Sequence, residues 1–117
     1  MAWNVAFADE FYADYQALPE AVQNELLLGV RLLEAYGPKL GRPHVDTLSG
    51  SEFANMKELR FRADDGVWRV AFAFDPKRSA ILLVAGNKSG TSQARFYRRL
   101  IATADARYKA HLKRTGP

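Results

Sequence analysis

Five residues between positions 58 and 97 carry side chains suited to phosphate chemistry: Glu58, Arg60, Arg69, Lys88 and Tyr97. Cleaving RNA through its own 2′-hydroxyl needs a base for the 2′ proton and a cation for the extra charge on phosphorus. It also needs a proton for the leaving oxygen. Glu58 is the candidate base. Arg60, Arg69 and Lys88 are the candidates for phosphate. Arginine's planar fork meets two phosphate oxygens at once and stays charged. Tyr97 can stack on a base or orient the phosphate. Lys57, Arg62, Arg78, Arg95 and Arg98 extend the basic surface as candidate RNA contacts. This route requires no metal or other cofactor, and the chain has no metal-ligand spacing. Plainer roles stand beside these. Glu58, flanked by Lys57, Arg60 and Arg62, also fits a cross-strand charge pair. Lys88 also fits a solvated turn, and His44 an exposed loop. His111 fits a cation at the negative end of a helix.

The elements that must position these groups follow from periodicity. Residues 55–88 read as three strands joined by tight turns at Asp64-Asp65-Gly66 and Asp75-Pro76-Lys77-Arg78. On the first strand Leu59 and Phe61 share one side, and Glu58, Arg60 and Arg62 the other. On the second, Trp68, Val70, Phe72 and Phe74 form the large apolar side, opposite Val67, Arg69, Ala71 and Ala73. The third, from Ala80 to Gly86, is apolar throughout, as a strand covered on both faces is. Before them, Trp3 to Phe7 alternates like an edge strand. Two helices follow it, separated by Pro19, and the second stops at Gly37-Pro38. Residues 39–52 read as a loop long enough to suggest a functional role. Thr91 or Ser92 can cap a last helix carrying Phe96, Leu100, Ala104 and Tyr108, ending near Leu112. The expected order is β-α-α-β-β-β-α, an α+β fold with a mostly antiparallel sheet. The helices are expected on one face, leaving Glu58, Arg60, Arg62 and Arg69 on an open one.

Composition sets limits. A chain of 117 residues fits one domain with a real core. The absence of cysteine excludes disulfides and thiolate metal sites. The N-terminus bears acids where a signal peptide bears lysines, and no apolar run approaches the ~20 residues of a membrane span. A cytoplasmic location is expected. Residues 1–38 hold six acids and one base, net −5, whereas residues 39–117 hold sixteen bases and seven acids, net +9. The basic two-thirds point to a polyanion, nucleic acid first.

The run from Asn55 to Gly90, NMKELRFRADDGVWRVAFAFDPKRSAILLVAGNKSG, followed by ARFYRRLIATADARYKAHL, resembles the HigB-type, phage Gp49-like branch of the RelE superfamily of toxins. The resemblance implies a ribosome-dependent mRNA endonuclease acting in the A site without a metal. It also implies a helix-turn-helix antitoxin as partner. By strand position it gives Arg69 the role of stabilising the transition state. It sets Lys88 and Tyr97 at the family's basic and tyrosine positions, and Glu58 and Arg60 at its charged first-strand positions. The chain departs from the pattern where better-known members carry a lysine pair on the first strand. Here Met56 and Glu58 stand at those positions, and Lys57 is one residue out of phase. Relatives of this fold also include inhibitors of DNA gyrase, and a silent RNA-binding module is a further alternative.

Overall fold

Both expected hairpin turns form. Asp64 and Asp65 adopt positive φ, 53° and 60°, as a two-residue turn matching the strand twist requires. At the second turn Asp75 Oδ1 accepts the backbone N–H groups of Lys77 and Ser79, both at 3.0 Å. The computed structural model describes residues 2–116. Its elements are β1 (Asn4–Phe7), α1 (Asp9–Gln16), α2 (Glu20–Tyr36), a 3-10 turn (Gly37–Lys39), β2 (Val45–Thr47), β3 (Met56–Ala63), β4 (Gly66–Phe74), β5 (Ser79–Asn87) and α3 (Gln93–Thr115). The sheet order is β1-β5-β4-β3-β2. β1 runs parallel to β5, and every other pair is antiparallel.

Three expectations are corrected. The segment 39–52 is not all loop: it contains β2, which pairs Val45, Asp46 and Thr47 with Leu59, Glu58 and Lys57. The last helix continues past Leu112 to Thr115. Most consequentially, helices cover both faces of the sheet. Gly29 of α2 lies so close to Leu59 that a Cβ there would come within 2.6 Å of a leucine methyl. The absent side chain thus sets how near α2 approaches. On the other face, Gly86 leaves room for Phe96 of α3, 3.1 Å from where its Cβ would be. The alanines opposite the large apolar side, Ala71 and Ala73, are therefore fully buried under α3.

The apolar side has its expected members, but only its middle is sealed. Val70 and Phe72 are fully buried, whereas Trp68 and Phe74, near the two ends of β4, are only partly buried. Leu82 and Val84 of β5 face successive residues of β4, so Leu83 between them has no partner across the ladder. The Leu83 carbonyl takes a bond from Arg107 of α3, at 2.8 Å. That bulge helps dock the helix.

Candidate active site

With α3 lying over Glu58 and Arg69, the sequence-predicted site separates into three parts. Arg69 and Glu58 sit on neighbouring strands, β4 and β3, and both side chains are only 8% exposed. Tyr97, on the second turn of α3, bridges them. Its hydroxyl accepts from Arg69 Nε at 2.7 Å and donates to Glu58 Oε1 at 2.8 Å. Direct approach between the ions is 3.8 Å. Arg69 also donates to the Val67 carbonyl, 3.2 Å away, and lies 5.4 Å and 5.6 Å from the ring centres of Phe96 and Tyr97. Burial raises the Tyr97 pKa above its usual range, and the bond to Glu58 adds to the shift. The phenol is protonated at any physiological pH. Arg69 was expected on an open face; it is instead buried and charge-matched.

Glu58 and Tyr97 reach solvent through a groove of roughly 400 Å³, lined also by Arg60, Gln93, Asp46, Thr47 and Ser49. Arg60 stands opposite Arg69 in the ladder and is exposed. Lys88 lies elsewhere. With Arg69, Asp64, Asp65 and Asn87 it lines a separate depression beside the first hairpin turn. Asp46, Thr47, Ser49 and Gln93 were not read from the sequence. Asp46 and Thr47 enter through β2, which is too short to show a period, Ser49 comes from the loop after it, and Gln93 from the first turn of α3. Thr47's own N–H bonds the Asp46 carboxylate at 2.8 Å and, with Arg42, holds its pKa below the usual value.

The wider basic set also divides. Arg62 is exposed on β3, on the same side as Glu58 and Arg60, and Arg95 and Arg98 are exposed on the first two turns of α3. Lys57 is not on this face: strand alternation turns it to the α2 side with Leu59. Arg78 is farther still. It lies beyond the opposite end of β4 from Arg69, past about 17 Å of strand, with its guanidinium 4.7 Å from the centre of the Trp3 ring. His111 does not cap the helix end as expected. It pairs with the buried Asp75 at 2.9 Å. His44 is exposed, and its carbonyl accepts from the Arg60 N–H.

The net charge is distributed accordingly. Acids of the N-terminal third neutralise the far half of α3, through Asp14–Arg107 at 2.7 Å and through Asp9 and Glu10 on Arg114. Arg60, Arg62, Lys88, Arg95 and Arg98 have no acidic partner among the described residues. No group of three or more His, Asp or Glu among the described residues is placed to hold a metal ion. Nor is any helix of theirs long and apolar enough to cross a membrane.

An antiparallel meander flanked by helices, with an N-terminal strand added in parallel, is the architecture of RelE-type proteins. The chain superposes on a double arginine-to-alanine mutant of the E. coli toxin RelE in its free state. The TM-score is 0.61 at 13% identity, over 87% of this chain and 96% of that one. It also superposes on a chain of the archaeal RelE–RelB complex from Pyrococcus horikoshii OT3, with TM-score 0.55 at 22% identity, over 78% and 100%. The family described as "Phage derived protein Gp49-like (DUF891)" matches residues 13–109. Two candidate toxins of Mycobacterium tuberculosis (strain ATCC 25618 / H37Rv) are similar in sequence. HigB2 is 46% identical over 84 residues, 71% of this chain and 41% of that protein. HigB3 is 51% identical over 78 residues, 67% and 66%. The match thus spans less than two thirds of either relative. The chain belongs to the phage-derived Gp49-like family, and its fold is that of RelE.

Proposed function

We propose that this chain is the toxin of a toxin–antitoxin pair, a single-domain cytoplasmic endoribonuclease that cuts messenger RNA in the ribosomal A site without a metal ion. The observation carrying this reading is the Arg69–Tyr97–Glu58 chain of hydrogen bonds, opening into a groove with exposed Arg60 beside it. In this reading Glu58 accepts the 2′ proton as the 2′ oxygen bonds to phosphorus. The bond from phosphorus to the 5′ oxygen then breaks, and protonation of that oxygen leaves a cyclic phosphate and a 5′-hydroxyl. Arg60 holds the phosphate oxygens. Tyr97 and Arg69 act as positioning residues that fix Glu58. Arg62, Arg95 and Arg98 contact the RNA backbone and ribosomal RNA, and Lys88 binds phosphate at the neighbouring depression. The similarity to a chain of a RelE–RelB complex supports an antitoxin partner, which we expect to carry a helix-turn-helix.

One observation favours a second reading. The buried Glu58 already neutralises Arg69, which suits a surface that binds RNA or a protein such as DNA gyrase without cutting RNA. Induction of this chain in bacteria, with 5′-end mapping of total mRNA and an Arg60→Ala control, separates the two. Codon-phased cuts that vanish in the control are expected. Growth arrest with intact messages would establish the non-cleaving reading.

A further inference from the structure

A groove of roughly 850 Å³ lies beside the one that exposes Glu58 and Tyr97. It runs between α2 and the outer edge of β3. β2 covers that edge only as far as Leu59. Arg60 still donates its N–H to the His44 carbonyl at 2.8 Å. By strand alternation the N–H and carbonyl of Arg62 also point outward, and no strand lies beside them. An uncovered strand edge is a template for another chain. The groove next to it is apolar at its base, with Leu28, Leu32 and Phe61, and carries Arg42, Arg60 and Arg62. Of its acids, Asp46 is engaged by Arg42 at 3.1 Å, which leaves Glu25 on the α2 side. Leu28 is 54% exposed and Leu27 beside it 42%, an apolar helix face with nothing on it.

We infer that this groove docks an extended, acid-bearing segment of a protein partner. The segment adds as a strand to β3 beyond the end of β2, pairing with the Arg62 backbone. It sets apolar side chains on Leu28 and Phe61, and its acids meet Arg60 and Arg62. The apolar base argues for protein over RNA, since a backbone of phosphates gains nothing from exposed leucines. The inference rests on the antitoxin reading and adds where that partner holds the toxin: at a rim sharing Arg60 with the cleavage groove. A segment seated there both binds and blocks.

The test co-expresses the full chain with the protein encoded by the adjoining reading frame. It follows growth rescue, complex formation on size exclusion, and amide hydrogen exchange. Leu28→Glu is expected to arrest growth like the wild type yet bind the partner at least tenfold more weakly and escape rescue. Tyr12→Glu, an equally exposed apolar site on α1, should be rescued normally. In the wild-type complex the Arg62 amide should exchange more slowly. A Leu28→Glu chain bound as tightly as the wild type overturns the docking site. So does an Arg62 amide that stays fast, or one protected by a single-stranded RNA oligonucleotide and not by the partner. Absence of any complex with the wild-type chain defeats the antitoxin reading itself, and this inference with it.

Discussion

Arg69 has its Nε on Tyr97, one further N–H on Val67, two aromatic ring centres within 5.6 Å of its guanidinium carbon and a buried carboxylate 3.8 Å away. An arginine held this way is poorly placed to leave its partners for a phosphate. Removing one member of a buried pair strands the other charge in a low-dielectric site, which costs about 3–5 kcal/mol. Arg69→Ala should therefore lower stability by about that amount in urea titrations, with loss of activity following from misfolding. Arg60→Ala should leave the unfolding free energy from urea titration within about 0.5 kcal/mol of wild type, because the side chain is exposed. It should still cut RNA roughly 10²- to 10³-fold more slowly, as expected for a lost transition-state contact. A stable Arg69→Ala protein that no longer cuts would return the phosphate to Arg69.

Each element was legible in proportion to its length and period. α2, β4 and β5 carry enough alternating or helical positions to be read directly, and both turns follow from Asp, Gly and Pro chemistry. β2 has three residues and no period, so its sequence looks like loop and hides the residues it brings to the groove. The faces of β3 and β4 were read correctly. Their surroundings were not, because a sequence shows which side is polar but not that α3 returns to cover it. Glu58 and Arg69 look like an exposed charged surface until Tyr97 closes over them. Trp68 illustrates the converse. Its size suggests a core residue, yet its place near the end of β4 leaves the side chain partly exposed, although its indole N–H is itself buried and unpartnered. Phe72→Ala should cost about 3–5 kcal/mol and Trp68→Ala clearly less, measured side by side by denaturant. Equal losses would show that the sheet end is as tightly packed as its middle. The turn between β4 and β5 adds a pH dependence. Burial raises the Asp75 pKa, but the bonds from His111, Ser79 and Lys77 outweigh it and bring the net value below the ordinary 3.8. A lowered carboxylate pKa contributes stability that is fully present above the unfolded value and is lost as pH falls through the folded one. The stability gap between wild type and Asp75→Asn should hold at neutral pH and shrink once pH drops below about 3.8. A gap independent of pH would mean that the ionised form is not what His111 and the turn amides hold.

The whole molecule separates its charge, and that separation decides where a polyanion can sit. Aspartates and glutamates of the first third lie against the far half of α3, where Arg107 and Arg114 are matched. The arginines of β3 and of the first turns of α3 are left to face outward together. A net +4 understates this field, because the internal pairs cancel charge at one end and leave it concentrated at the other. Four side chains, Arg60, Arg62, Arg95 and Arg98, form the expected phosphate track. Each phosphate contact to single-stranded RNA releases counterions worth a slope of about −0.7 in log K against log salt, so the four together give about −3. Binding of a short RNA, titrated between low and moderate salt, should follow that slope. Arg95→Ala should make it shallower by about 0.7. Arg78→Ala should leave it unchanged, because that guanidinium lies over Trp3 beyond the opposite end of β4. A slope that responds to Arg78 as strongly as to Arg95 would mean that RNA follows the length of the sheet, and the track would have to be redrawn around Trp3. Thermal stability over the same salt range should move little, since exposed ion pairs such as Asp9–Arg114 contribute little and are readily screened. Steep salt dependence in binding with almost none in folding is what distinguishes a charge reserved for a ligand from one used to hold the fold.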